Sequence, residues 1–299
     1  MTEKNWPELF FKYLHTQRGY SPLTIDIYHD DLRDYLAFLK TSGDANYLEV
    51  EPLDVRSYLG FLYEKKYARN TVSRKISALR SFYQFLLKNE VLDENPFSYL
   101  HLRKGPSRLP KFFYEEEMNV LFETASGSQP LDYRNTALLE VFYATGLRVS
   151  EACQLQIFDV DFQLGVVLLH GKGNKERYVP IGSFAQDALK IYFEKSRTPL
   201  MTKYHKEHQF VFVNRLGEPI TDRGIRYVFT QLVKKSSLTT TIHPHMFRHT
   251  FATHLLNNGA DMRTVQELLG HVNLSSTQIY THVTTDRLQE SYDKFFPRA

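Results

Sequence analysis

Cysteine is scarce in this 299-residue chain, with Cys153 the only one. That excludes an internal disulfide framework and fits a reducing compartment. With Ala152 and Leu155 as neighbours, Cys153 reads as a buried thiol on a helix. Long apolar runs are missing too. No stretch approaches the roughly 18 apolar residues that cross a bilayer, so no membrane association is expected. The opening run Met1-Thr2-Glu3-Lys4-Asn5-Trp6 lacks the apolar core of a signal peptide, and the cytoplasm is the expected location. Net charge is low, at +3, so the distribution of charge says more about partners than its sum. Internal repeats and low-complexity tracts are absent.

What is present suits a two-domain globular protein. Hydrophobic residues make up 42% and aromatics 14%, enough at this length for two cores. The first hundred residues read as four helices. The first is short and aromatic, from Glu8 to about Thr16. The second opens with Ser21 at the cap and Pro22 at the first helical position, then repeats Ile25, Tyr28, Leu32, Leu36 and Leu39 at helical spacing. The third runs from about Pro52 to Lys66 and the fourth from about Asn70 to Lys88. Asn95-Pro96 breaks the pattern. The expected division is a helical domain over 1–98, a linker over 99–112 and a second domain over 113–299, with a tail from about 287. The linker carries Arg103, Lys104, Arg108 and Lys111 among Gly105, Pro106 and Pro110. The second domain mixes helices with a little sheet. Val166–His170 and Arg177–Ile181 read as antiparallel strands joined by a Gly- and Asn-rich turn. Helices are expected at 133–143 and near 184–195, 221–235, 245–258, 261–269 and 276–291. The fold class is therefore mainly α with a small antiparallel β-sheet.

Charge is divided unevenly. Ser21–Asp54 holds eight acidic residues against two basic, while Lys65–Asn89 holds seven basic and no acidic. A one-sign run interleaved with Asn70, Thr71, Ser73 and Ser77 suits phosphate contact. Arg69, Arg74, Lys75 and Arg80 are the candidate DNA-binding side chains there. Base-reading side chains are expected within Arg69–Arg80 and around Thr221–Arg226.

Four short patterns in the second domain carry chemistry. In Thr145-Gly146-Leu147-Arg148-Val149-Ser150-Glu151, Arg148 opens a helix, where free N–H groups already favour an anion. Glu151, three residues on, can hold that arginine. In Gly171-Lys172-Gly173-Asn174-Lys175, flanking glycines permit close approach to a ligand. Lys172 and Lys175 compete there for the role of phosphate contact or proton donor. In His245-Met246-Phe247-Arg248-His249, His245 and Arg248 share one face of a helix's first turn. His249 and His254 read as structural. In Leu268-Leu269-Gly270-His271, Gly270 ends a helix. Ser275 and Gln278 then form a capping box that starts the next, placing Tyr280 in its second turn.

Together these residues suit transesterification at a phosphodiester without metal or other cofactor. Arg148 and Arg248 can neutralise the charge that the pentacoordinate transition state concentrates on its equatorial oxygens. A tyrosine nucleophile must lose a proton, since only about one phenol in a thousand is ionised at neutral pH. The leaving oxygen must gain one, a task that suits Lys172.

These motifs, with Tyr280-Thr281-His282 and the ending Phe295-Phe296-Pro297-Arg298-Ala299, resemble the tyrosine site-specific recombinases of the phage integrase family, and within it the bacterial Xer group. The resemblance spans essentially the whole chain. It implies that Arg148 and Arg248 clamp the scissile phosphate and that Lys172 is the general acid to the leaving 5′-hydroxyl. It implies that His245 assists proton transfer and His271 hydrogen-bonds a phosphate oxygen. Tyr280 forms a 3′-phosphotyrosyl link. Lys175 joins the DNA-binding set. The helical domain becomes a core-binding domain that closes on duplex DNA opposite the catalytic domain. Four protomers, identical or paired with a homologous partner recombinase, exchange strands between two double-stranded sites through a Holliday junction. The implied task is chromosome dimer resolution at cell division, with a septal DNA translocase as candidate activator. Which Xer partner type this chain represents stays open, as does a mobile-element integrase of similar architecture. The resemblance also implies that the tail, with its apolar stripe Leu288, Tyr292, Phe295 and Phe296, docks on a neighbouring protomer; docking on its own chain is the alternative.

Three other readings compete. His245 and His249 have a spacing that can hold zinc, but Met246 stands where a zinc protease has glutamate. A DNA-binding regulator would use the basic surfaces without chemistry. A type IB topoisomerase-like enzyme would use the chemistry without partner exchange.

Overall fold

Capping chemistry sets the helix starts of the first unit. In a computed structural model that describes residues 4–43, 46–100, 102, 111–171, 176–238, 244–270 and 282–299, the described residues form two compact units that part between Ser107 and Arg108. In the first, Asn5 accepts from the Glu8 amide to open α1 (Trp6–Thr16). Ser21 Oγ accepts from the Thr24 amide ahead of α2 (Pro22–Gly43). The Asp54 carboxylate accepts the Glu51 amide to open α3 (Pro52–Glu64). Such caps each contribute about 1 kcal/mol. The long α4 (Arg69–Lys88) buries Val72, Ile76, Leu79, Tyr83 and Leu86 along one face. All four helices and the segment after α4 contribute fully buried rings: Phe10, Tyr35, Tyr58, Phe82 and Phe97. Most of these rings approach edge-on or tilted, the favoured aromatic geometry.

The second unit is organised on α6 (Pro130–Thr145). From Ala137 to Thr145 every residue of this helix is buried. A helix apolar all round belongs at the centre of a domain, and α5 (Glu115–Ala125), α8 (Ser183–Tyr192) and α11 (Pro244–Asn257) pack against it. A three-stranded antiparallel sheet runs in the order β1 (Val160–Asp161), β2 (Val166–His170), β3 (Glu176–Pro180). Its register pairs Val166 with Pro180 and His170 with Glu176. The rest comprises α7 (Val149–Gln154), α9 (Thr198–Lys203), α10 (Asp222–Lys235), α12 (Met262–Leu269) and α13 (His282–Phe295).

Three features depart from the sequence expectation. Helix α5 was not anticipated: Tyr114 stands at its cap in place of a Ser, Thr, Asp or Asn, although the three glutamates of its first turn favour a helix start. Strand β1 is two residues long, too short for any periodicity. The helix expected to end near 195 continues through a π-turn, Phe193–Arg197, into α9, whose first turn accommodates Pro199. Cys153 lies on α7 as expected but is half-buried.

Buried hydrogen bonds staple residues 113–114 onto α11. The Phe113 amide donates to Thr250 Oγ1 at 2.9 Å, and His254 Nε2 donates to the Phe113 carbonyl at 2.8 Å. The Tyr143 hydroxyl completes the set on His254 Nδ1 at 2.7 Å. Both ring nitrogens are thus engaged by a neutral imidazole. Burial holds His254 below the usual histidine range, although the Phe113 carbonyl, Glu115 and Glu116 pull the other way. A group whose folded pKa is depressed stabilises above its unfolded value, about 6.5, and loses that contribution as pH falls below it. The melting temperature of the wild type should therefore fall from pH 7 to pH 5.5. Part of that slope should vanish in His254→Gln, measured by calorimetry at matched ionic strength.

In the single chain described, the tail packs onto its own second unit. Leu288, Tyr292 and Phe296 are buried in the core of the second unit. Phe296 stacks on Tyr292 and packs against Tyr143 and Phe251. Arg298 lies against the rings of Phe122 and Phe184, at 4.1 and 3.9 Å. Its guanidinium also grips the buried Glu140 carboxylate at 2.5 and 3.2 Å. Gly182 lets the chain end approach this closely, since a Cβ there would sit 2.2 Å from the Arg298 carbonyl oxygen. Phe296→Ala should accordingly destabilise the protein by about 3 kcal/mol, read from urea unfolding.

Candidate active site

The site starts where α6 gives way to α7. Arg148 caps α7, and Glu151 folds back on it. The Arg148 amide donates to Glu151 Oε2 at 2.7 Å and its Nη1 to Oε1 at 2.8 Å. The Glu151 side chain is 2% exposed and that of Arg148 33%, so the carboxylate is a fixed anchor and the guanidinium can still reach a ligand.

Arg248 comes from the second turn of α11 and is buried. Its Nη1 donates to the Gly146 carbonyl at 2.8 Å and its Nη2 to the Leu269 carbonyl. One guanidinium thereby joins the end of α6 to the end of α12. Burial, and then the like charges of Arg148 and Arg177, push Arg248 down to about 9, with Glu151 opposing. Arg248 remains cationic at neutral pH, in a cluster that an incoming anion would stabilise.

Arg177, from β3, completes the cluster. Its Nη1 and Nη2 fork onto Glu151 Oε1 and Oε2, both at 2.9 Å, and its Nε donates to the Leu268 carbonyl at 3.1 Å. Burial raises the cost of ionising Glu151, but the fork from Arg177, followed by the donors of Arg148, holds its carboxyl below the usual range. Sequence reasoning assigned Arg177 no role. The available signal was alternation: Arg177 shares the inward face of β3 with Val179, and a charge on a buried strand face needs a partner.

Of the six candidate catalytic residues, the structure brings Arg148 and Arg248 together. His245 is exposed one turn before Arg248 on α11. Lys172, His271 and Tyr280 lie outside the described residues, as do Lys175 and the capping residues Ser275 and Gln278. The chain on either side of them is described. Gly171 and Glu176 flank the lysines, and Gly270, the residue before His271, closes α12 with φ +65°. Among the described residues, no group of three His, Cys, Asp or Glu is arranged to hold a metal.

The DNA-binding candidates of the first unit separate into two kinds. Arg69 is exposed at the start of α4. Arg74 pairs with Asp31 but keeps 40% of its side chain exposed. Lys75 is buried instead, with its Nζ 3.1 Å from Asp31 and 2.8 Å from Asp34. Burial works against its charge, yet Asp34 and Asp31 hold the ammonium above its ordinary range. Arg80 donates to the carbonyls of Phe97 and Leu100 at 3.1 and 2.6 Å. Lys75 and Arg80 are thus both engaged within their own unit. The reason is geometric, since α4 buries one whole face and a one-sign run includes positions on it.

Residues 111–287 match the phage integrase family, and residues 8–90 match the phage integrase N-terminal SAM-like domain. The chain is 52% identical over 290 residues to a tyrosine recombinase XerC of Lacticaseibacillus casei, covering 97% of each. It is 51% identical over 296 residues to that of Bacillus subtilis, covering 99% of this chain and 97% of the relative. Among solved structures, the XerH recombinase bound to its difH substrate before cleavage superposes with TM-score 0.66. The two are 24% identical over 95% of this chain and 83% of that one. A lambda integrase tetramer on a Holliday junction gives TM-score 0.66 at 18% identity, over 92% and 79% of the chains. Both structures share the fold. No helix among the described residues is long and apolar enough to cross a membrane.

Proposed function

This chain belongs to the phage integrase family of tyrosine recombinases, and we propose that it exchanges DNA strands at specific sites as a chromosomal Xer-type enzyme. The observation that carries the reading is the convergence of Arg148 and Arg248 on one positive cluster ordered by a buried carboxylate. A phosphodiester carries one negative charge, and the pentacoordinate transition state adds to it. Two guanidiniums held in place before the reaction stabilise that added charge without reorganising.

The chemistry then assigns roles around the phosphate. Tyr280 attacks phosphorus, the bond to the 5′-oxygen breaks, and a 3′-phosphotyrosyl ester forms. His245, exposed beside Arg248, assists removal of the phenolic proton. Lys172 protonates the leaving 5′-oxygen. His271 hydrogen-bonds a phosphate oxygen. The reverse attack by a 5′-hydroxyl of the partner duplex reseals the strand. Ester energy is kept in the phosphotyrosine, so exchange needs no ATP.

On DNA, four protomers hold two sites and pass through a Holliday junction, with a homologous recombinase filling half the positions in the heterotetrameric case. The first unit closes on the duplex as a core-binding domain, using Arg69 and Arg74, while Lys175 contacts DNA from the hairpin tip. The biological task is chromosome dimer resolution in the cytoplasm at cell division, with a septal translocase as activator.

Exchange between two duplexes tests this reading. The substrate is the chromosomal-terminus sequence that the protein protects in footprinting, assayed with its partner recombinase in chelator and without ATP. Recombinant product is expected. Binding without strand joining would support a regulator, and relaxation of plasmids lacking the site would support a topoisomerase.

A further inference from the structure

Three arginines and one carboxylate form the cluster, and only two of the arginines face the reaction. The third, Arg177, is 4% exposed and surrounded by protein. All three of its nitrogens are engaged: two on Glu151 and one on the Leu268 carbonyl. It sits on β3. It touches α7 through Glu151 and the last turn of α12 through Leu268. One side chain therefore ties the sheet both to the helix that Arg148 caps and to the end of α12.

The contact at α12 is tight. Gly270 has φ +65°, and a Cβ there would lie 2.9 Å from Arg177 Cδ. The adjacent carbonyls of Leu268 and Leu269 are held by arginines from two different elements, Arg177 and Arg248. The last turn of α12 is thus under double restraint.

Charge makes the second point. Glu151 lies against Arg148 through one nitrogen of the fork, Nη1. Among the described residues, Nε and Nη2 of Arg148 have no partner. If Glu151 faced Arg148 alone, the buried carboxylate would draw its whole fork and cancel its charge. Arg177 supplies the neutralising charge in its place, so that Glu151 orients Arg148 without silencing it. Three guanidiniums and one carboxylate leave two positive charges, the number that matches a doubly charged transition state.

We propose that Arg177 is a positioning residue for strand cleavage, which sets the orientation and net charge of Arg148 through Glu151 and holds the end of α12 through Leu268. The proposal rests on the recombinase reading above. Arg177 touches neither the DNA nor the reacting atoms.

The test is single-turnover release of the 5′-hydroxyl strand from a nicked duplex carrying the footprinted site. The scissile group is either the ordinary diester or an uncharged methylphosphonate. Wild type, Arg177→Met and Arg177→Met/Glu151→Gln are compared at saturating protein, with gel-shift affinity and melting temperature alongside. Arg177→Met should bind DNA within about threefold of wild type but cleave the diester about 100-fold more slowly, the scale of losing one preorganised donor. On methylphosphonate, where less charge develops, the gap should shrink below about tenfold. Adding Glu151→Gln should recover about tenfold on the diester, because a neutral amide no longer claims Arg148. Arg177→Lys keeps the charge without the fork, and its pair with Glu151→Gln carries the same comparison if Arg177→Met does not fold. Cleavage within threefold of wild type, an equal defect on both substrates, or no recovery on adding Glu151→Gln overturns the proposal. A wild-type protein that releases no strand overturns the recombinase reading instead.

Discussion

Arg148→Ala is expected to slow DNA cleavage by about 10³-fold while leaving the fold nearly intact, on the scale of removing a positioned cation from a phosphoryl transition state. The fold is spared because Glu151 keeps its forked partner, Arg177, and still accepts the residue 148 amide. No buried carboxylate is orphaned, so the large penalty for breaking a buried pair does not apply. Arg248→Ala should behave differently. It leaves the Gly146 and Leu269 carbonyls without their donor and separates the end of α6 from the end of α12. Cleavage and thermal stability should fall together. Single-turnover rates and melting temperatures of the two variants, set side by side, distinguish the arginine that meets the phosphate from the one that also builds the site. Equal stability losses would contradict this division.

Tyr280→Phe is expected to abolish covalent complexes while preserving site-specific binding within about twofold. The change removes one oxygen and little else, and surface-scale substitutions of that kind seldom alter stability by more than about 0.5 kcal/mol. No other group in the cluster can replace the phenol as nucleophile. Arginine is too strong a base to lose its proton at neutral pH, and Glu151 is buried between Arg148 and Arg177. Gel shift should therefore show wild-type mobility with the variant, and denaturing gels should show free protein only. Residual covalent complex at even a few per cent of wild type would point to another nucleophile.

The sequence carried much of this site, for physical reasons that differ by residue. Arg148 and Glu151 were legible because a helix start is a local event: spacing of three places a carboxylate back on the cap. Arg248 was legible as a cation at a helix start, but not its grip on the Gly146 and Leu269 carbonyls, which depends on tertiary packing. Arg177 was silent because its partners, Glu151 and Leu268, are 26 and 91 residues away in the chain. Counting charge on α4 did not reveal that Lys75 and Arg80 are engaged within their own unit, because that depends on which face is buried. The tail shows the same limit. Its apolar stripe announced a docking surface, but only the packing shows the slot beside Tyr143, Phe251 and Gly182 that receives it within the single chain. Elements with clear caps and periodicity, such as α2 and α4, were readable. Strand β1, at two residues, and α5, with Tyr114 at its cap, were not.

The central claim is that a phenol of this chain becomes esterified to DNA beside an arginine cluster built for a phosphate. The most direct measurement isolates the SDS-resistant complex formed on a nicked duplex carrying the footprinted site. Trypsin and nuclease digestion followed by mass spectrometry then identifies the attached residue. The account predicts one modified peptide, with a nucleoside 3′-phosphate esterified to Tyr280 and a free 5′-hydroxyl on the released strand. A link at any other residue, or a 5′-phosphate linkage, would contradict it.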